Sequence, residues 1–361
     1  MKRKLVYCLA VLMILTCGAS VCTANEEPLK IKNAQAFMEY LEKKASSKKE
    51  TIQLENNIVL PYKKNEFLSV RSKSLVIDGQ GHSLRYQGDI KTNNLQFSMP
   101  SKNNQLKLKD ISDLGSFTCS HGKIELEDVT FTGNYCGFVD CQAKLSDVQT
   151  SEKNAEEQKY PSISIMNGKM TLDETCSISE NWRLLVSNGE AVVDCDYYDA
   201  EVTIWAKGSA SFSGKGTGKG TLTVMLKDNG TKAKIDARTE NLKIYLSDPE
   251  FRGRQTAAIS GTARSVEIMS FGEVPKNRKL DLKLSGVERL CFILDYHNDP
   301  DGIPEDESEL HDLIKKSTSR VSLAKITDAE GKPIRSVDYR VLYRGADGKI
   351  DRVEWTESLE N

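Results

Sequence analysis

The sequence predicts an all-β solenoid, a chain wound into short parallel strands stacked coil upon coil. Three observations lead there. A unit of the form apolar, any, apolar, polar recurs as Leu75/Ile77/Asp78, Leu106/Leu108/Lys109, Ile124/Leu126/Glu127 and Ala143/Leu145/Ser146, then as Met170/Leu172/Asp173, Ala191/Val193/Asp194, Ala210/Phe212/Ser213, Ala233/Ile235/Asp236 and Val266/Ile268. Steps from Ile124 to Ala143, and from Met170 through Ala191 and Ala210 to Ala233, advance about 19 to 23 residues, a solenoid spacing. Each unit alternates apolar and polar for only a few residues between Gly, Asn, Asp and Ser, as short strands do. One such coil cannot bury its apolar side alone, and stacking the next coil about 4.8 Å away supplies both a core and backbone partners.

The elements follow in chain order. Residues 1–24 carry Lys2, Arg3 and Lys4, an apolar run from Leu5 to Leu15 and a small-residue stretch ending at Ala24, the pattern of a cleaved signal peptide. The mature protein is therefore expected to be secreted or otherwise extracytoplasmic. Thr16 precedes Cys17 where a lipidated cysteine normally follows Gly, Ala or Ser, so a lipid anchor is not expected. No later apolar stretch is long enough for a membrane helix.

Residues 25–48 hold a cap. From Asn33 to Lys44, Ala36, Phe37, Tyr40 and Leu41 recur at helical spacing, which predicts an amphipathic helix over the open end of the first coil. The solenoid is expected over 49–295. Residues 296–317 read as an acidic linker and a short helix with Leu310, Leu313 and Ile314 on one face. Over 318–361, "SRVSLAKI", "VDYRVLYR" and "DRVEWTE" are separated by Gly-containing turns, which predicts a small β-meander or a cover for the last coil.

The order of cap helix, strand pair around "TIQLENNIVLPY", "SLVIDGQGHSL" and irregular Gly-punctuated coils resembles the secreted bacterial right-handed parallel β-helix proteins of the pectate-lyase-like superfamily. The likeness spans roughly Leu29 to Asp295, and the right hand of the helix is an implication of it. In that family the DG-x-GH element is structural, which implies a turn at Asp78 and Gly79 with His82 on the following strand. Asp-Gly is also a strong turn pair in its own right.

Many members of the superfamily cleave acidic polysaccharides, so the resemblance implies that chemistry as a candidate for this chain. A lyase needs carboxylates around Ca²⁺ beside a basic group, and a hydrolase needs carboxylates across the scissile bond. Asp194 and Asp196 fall on one face of "VVDCDYYD", with Asp173 one coil earlier; they are candidates for a ligand or catalytic site, and strand-ending acids facing solvent are the alternative. Neither an RxPxxR-like segment nor the paired-Asp, His-Gly and Arg-x-Lys elements of the polygalacturonase type accompanies them, so no catalytic residue is carried over. Asp295, Asp299 and Asp301 in "DYHNDPDGIPEDE" are candidate Ca²⁺ ligands, or part of a solvated acidic linker. Trp182 and Trp205 are candidate sugar platforms, or interior rings. Arg252 and Arg254 are a basic pair able to bind carboxylated sugars.

The whole chain carries 50 basic and 52 acidic side chains and a formal charge of −2; loss of residues 1–24 brings it to −5. The basic residues form no stripe interleaved with aromatics in the sequence, so a nucleic-acid partner is not expected. Six cysteines follow the leader: Cys119, Cys136, Cys141, Cys176, Cys195 and Cys291. Disulfides and buried apolar thiols both remain open for them. The expected function is that of a noncatalytic surface or envelope protein whose lateral face binds a glycan or another cell-envelope component. A lyase or hydrolase with a divergent site at Asp173, Asp194 and Asp196, and a purely structural envelope protein, are the alternatives.

Overall fold

The computed structural model describes residues 27–42, 48–61, 67–87, 94–151, 161–205, 208–227, 231–246, 255–271, 278–296, 308, 312, 315–316, 321–322, 325–344, 347 and 349–358. The expected leader, the Arg252/Arg254 pair, Asp299, Asp301 and the apolar face of the short helix at 310–314 lie outside the described residues.

The chain is a parallel β-solenoid of about 10 turns. Its strands form three ladders. Ladder A stacks β1 (Leu29–Ile31), β2 (Lys49–Leu54) and the first halves of β5 (Ser74–Tyr86), β7 (Gln105–Leu114), β9 (Lys123–Phe131) and β11 (Gln142–Thr150). It continues through β13 (Lys169–Leu172), β15 (Glu190–Val193) and the first parts of β17 (Ser209–Leu226), β18 (Lys232–Leu246) and β19 (Gln255–Phe271), and ends on β20 (Arg278–Ser285) and β22 (Val321–Ser322). Ladder B is shorter: β3 (Ile58–Leu60) pairs with the second half of β5, followed by those of β7, β9 and β11. Ladder C stacks β4 (Leu68–Ser69), β6 (Leu95–Ser98), β8 (Phe117–Ser120), β10 (Tyr135–Val139), β12 (Ser162–Met166), β14 (Arg183–Ser187) and β16 (Asp199–Ile204). The second parts of β17 to β19, then β21 (Arg289–Asp295) and β23 (Ser336–Arg344), complete it.

Alternation at period two sends one set of side chains inward in every coil, and in-register pairing turns each inward position into a continuous apolar column. In ladder A, Ile52, Ile77, Leu108, Leu126, Leu145, Leu172 and Val193 are successive partners, and all are buried. In ladder C, Phe138, Ile165, Val186, Val202, Val224, Ile244, Ile268 and Phe292 do the same. Full burial of such side chains is worth about 1.5–3 kcal/mol each, so the columns are the main source of stability. The unit at Val266/Ile268 sits in ladder C, on Leu242/Ile244, while the ladder A strand of that coil carries Ala257/Ile259. The two ladders share one alternation, which is why the repeat alone does not separate them.

The corners explain the polar punctuation. Passing from ladder A to ladder B, the chain turns at a residue of positive φ in successive coils: Gln80 (50°, followed by Gly81 at 76°), Asp110 (52°), Asp128 (52°) and Asp147 (51°). Asp tolerates this left-handed conformation better than most residues. The turn in "VIDGQGH" thus falls at Gln80 and Gly81, not at Asp78 and Gly79. Asp78 is buried; it accepts hydrogen bonds from the Gln80 backbone N–H (3.3 Å) and side-chain amide (2.8 Å) and pairs with Lys109 at 2.8 Å. Gly79 is required by close approach, since a Cβ there would stand 2.3 Å from the Asp110 carbonyl oxygen of the next coil. His82, half-buried on the second half of β5, is in register with Ile111.

The N-terminal cap is α1 (Ala34–Glu42), which buries Phe37 and Leu41 over the first coils. Asn33 caps it, accepting from the Ala36 N–H at 2.9 Å. At the other end, two of the three expected C-terminal strands form an antiparallel pair, β23 with β24 (Ile350–Ser358). The first does not join them: β22 continues ladder A on β20, and β23 itself continues ladder C on β21. Tyr339 stacks on Phe292 with ring centroids 5.8 Å apart, so β22 and β23 belong to a last coil of the column.

Candidate functional site

The corner from ladder C into ladder A is a two-residue step built alike in four coils. His121, Asp140, Asn167 and Asn188 all have positive φ there and are followed by Gly122, Cys141, Gly168 and Gly189. Their backbone N–H groups donate to Val139, Met166, Ser187 and Thr203 carbonyls, carrying the ladder through the turn. At Gly168 a Cβ would lie 2.2 Å from the Cys141 carbonyl oxygen, so the corners stack only with little or no side chain at that step. These tight corners align the first outward residues of successive ladder A strands.

Two open grooves result. One, about 550 Å³, runs along the corners and the starts of the ladder A strands; Lys102, Lys169, Lys232 and Lys234 line it against Asp140 and Glu190. The other, about 440 Å³, lies on the outer face of ladder A and is lined by Lys49, Lys107, Lys123, Lys144 and Lys169 against Glu125. Lys169 and Gln142 belong to both, so they form one strip from β2 to β18. Over eight coil steps of about 4.8 Å that strip is about 38 Å long. Lys169 pairs with Glu190 at 2.7 Å, and Lys107 pairs with Glu125 and Glu127. Burial alone would pull the Lys107 ammonium down, but those two carboxylates outweigh it and hold its pKa above the ordinary value. Lys102, Lys123, Lys144, Lys232 and Lys234 make no ion pair among the described residues and are exposed.

At the strip's rim, Trp205 is 38 % exposed with the Lys227 ammonium 4.8 Å from its ring centroid. Its backbone N–H donates to the Asn188 side-chain oxygen, fixing it beside the first groove. Trp182 is interior and presents no sugar platform. It is buried, lies tilted against Phe131 with ring centroids 6.3 Å apart, and donates its indole N–H to the Ser151 carbonyl.

Asp173 and Asp194 occupy successive coils at the A-to-B corner, as alternation implies, for Leu172 and Val193 before them are in register. Each is tied to local structure. Asp173 accepts from the Thr175 N–H and hydroxyl; burial pushes its carboxyl up, but bonds from Thr175 and Ser146 prevail and hold it below the usual range. A general acid requires the opposite shift. Asp194 pairs with Lys215 at 3.1 Å, and Asp196 pairs with Lys219 at 3.5 Å while accepting from the Thr217 N–H. Among the described residues no group of three or more His, Cys, Asp or Glu side chains is placed to hold a metal ion. Asp295 ends β21, in register with Leu342.

The lysine strip is what sequence reading missed. Its members lie about 20 residues apart at alternate strand positions, so they look scattered until coils stack. Compared with family models, curated proteins and solved structures, the chain matches none. Among the described residues no helix is long and apolar enough to cross a membrane.

Proposed function

We propose that the chain is a secreted, noncatalytic, right-handed parallel β-helix of the pectate-lyase-like kind that holds an anionic glycan along the outer face of ladder A. The observation that carries this reading is the gathering of unpaired lysines into one strip on a chain whose formal charge is −2. Ammonium groups on alternate residues of a rigid column offer a row of donors to carboxylates or sulfates repeated along an extended polymer. Trp205 supplies an apolar face at the rim for a sugar ring.

The test is retention of the mature protein on a panel of acidic and neutral polysaccharides, with product release scored separately. Retention on the acidic members without products is expected, weakening as salt rises. The triple variant Lys144→Glu, Lys232→Glu, Lys234→Glu should keep its fold and bind less tightly. At about 0.2–1 kcal/mol for each exposed pair, the loss over three is about 0.6–3 kcal/mol, or roughly threefold to 150-fold in affinity. Release of products would favour the enzyme reading, and equal retention of wild type and variant would sink the lysine strip.

A further inference from the structure

We propose that a second copy of this chain docks on the C-terminal end of the column, the two β24 strands pairing antiparallel about a two-fold axis at Val353. The two ends of the solenoid are finished differently. At the N-terminal end α1 lies over the first coils and buries Phe37 and Leu41. At the other end β24 pairs with β23 and with no other strand among the described residues, so its far edge offers backbone N–H and C=O groups to a further strand.

One inward column of ladder C marks the same place. Ile204, Leu226, Leu246, Ser270, Leu294 and Val341 are successive partners, each at most 2 % exposed. Val353 is the next member, opposite Val341, and it is 40 % exposed. Ile350, at the start of the same strand, is exposed as well. The apolar column therefore runs into solvent where the backbone edge is open.

The charges on β24 select the occupant and its register. Opposite residues of an antiparallel pair share a face, so a two-fold axis between two β24 strands passes through a residue and not between residues. Centred on Val353, Arg352 of each copy stands opposite Glu354 of the other, and Lys349 stands opposite Glu357. Centred one residue earlier or later, Arg352 or Glu354 meets its own copy. Opposite charges favour cross-strand pairing and like charges oppose it, so one register is specified and its neighbours are penalised. Within one chain Glu354 already pairs with Arg340 at 2.9 Å and with Arg352 at 3.7 Å, a row that docking extends to Arg352 of the second copy. On the other face Val353 meets Val353 of the second copy and continues the column. Both edges are used up in this contact, so assembly stops at two copies. The contact belongs to ladder C and is independent of the lysine strip on ladder A.

The mature protein, without glycan, is followed by sedimentation velocity over a concentration series up to its solubility. A monomer–dimer equilibrium with no larger species is expected. Arg352→Glu and Glu354→Arg each set like charges across the axis, and each alone should weaken association by about tenfold or more while keeping the wild-type circular dichroism. Mixed in equal amounts, the two variants should associate with each other about as tightly as wild type, because the mixed pair restores opposite charges at both positions. A cross-link gives a second reading. The six cysteines that follow the leader are buried free thiols. Residues directly opposite have Cα atoms about 4.5–5.5 Å apart, inside the span of about 4.4–6.8 Å of a disulfide, so mild oxidation of Val353→Cys should yield a covalent, reducible dimer. Phe67→Cys, exposed elsewhere, should stay monomeric under the same treatment. A wild type that is monomeric throughout, species larger than a dimer, charge variants that associate like wild type, or a mixture no tighter than its components would overturn the proposal. Should a charge variant lose its circular dichroism, the cross-link decides: Val353→Cys linking no faster than Phe67→Cys overturns it.

Discussion

Replacing Phe117 by alanine is expected to cost about 3–5 kcal/mol of stability, the range for large aromatic truncations in packed cores. Phe117 is fully buried between Leu95 and Cys136 in one inward column of ladder C. Its ring lies 5.7 Å from Phe97 and 6.3 Å from Phe138, so truncation removes burial and two aromatic contacts at once. The coils on either side are held apart by their own backbone ladders, and the cavity cannot close by collapse. Phe67, 61 % exposed, is the control: its truncation should stay within about 0.5 kcal/mol. Urea denaturation midpoints measure both. A Phe117→Ala midpoint equal to that of Phe67→Ala would mean that ladder C does not pack as described.

The second large effect is at Lys109→Met, expected to cost about 1–3 kcal/mol at neutral pH by leaving the Asp78 carboxylate buried with only Gln80 as donor. The sign of its pH dependence is specific. Burial raises the Asp78 pKa, but Lys109 and Gln80 outweigh it and hold the carboxyl below its ordinary value. The stabilisation is therefore complete above the unfolded pKa of about 3.9 and is lost as pH falls through the lower folded value. In Lys109→Met the unpaired carboxylate is relieved by protonation, so the deficit relative to wild type should shrink between pH 7 and pH 3. Asp78→Asn combined with Lys109→Met should recover most of the loss at pH 7. A deficit equal at both pH values would contradict this account of the buried pair.

Much of the column was legible in the sequence because inward positions obey strict alternation: Leu126, Leu172 and Val193 are all buried where the repeat places them. The cap helix was legible for the same reason, with Phe37 and Leu41 on its apolar face. The division into three ladders was not, since ladders A and C share one period. A signal for the A-to-B corner was present in "LKDI", "LEDV" and "LSDV", where Asp110, Asp128 and Asp147 hold the positive φ. It is a one-residue conformational requirement, and apolar periodicity carries no trace of it. Burial of Trp182 depends on its contact with Phe131 and Ser151, about 50 and 31 residues earlier, which composition does not report. The candidate site was the least legible part. Charges drew attention to clustered carboxylates, while the lysines come together only through register between strands about 20 residues apart.

The central claim is an in-register parallel column, and distances between spin-label pairs test it most directly. Glu125, Lys144, Thr171, Val192, Ser213, Asp236, Ser260 and Lys283 are successive partners on the outer face of ladder A. With one label at Glu125→Cys and the other at Asp236→Cys, Ser260→Cys or Lys283→Cys, electron–electron double resonance should give separations of about 24, 29 and 34 Å, one step of about 4.8 Å per coil. Separations that fail to grow with coil number, as in two facing antiparallel sheets, would contradict the column and every surface assigned from it.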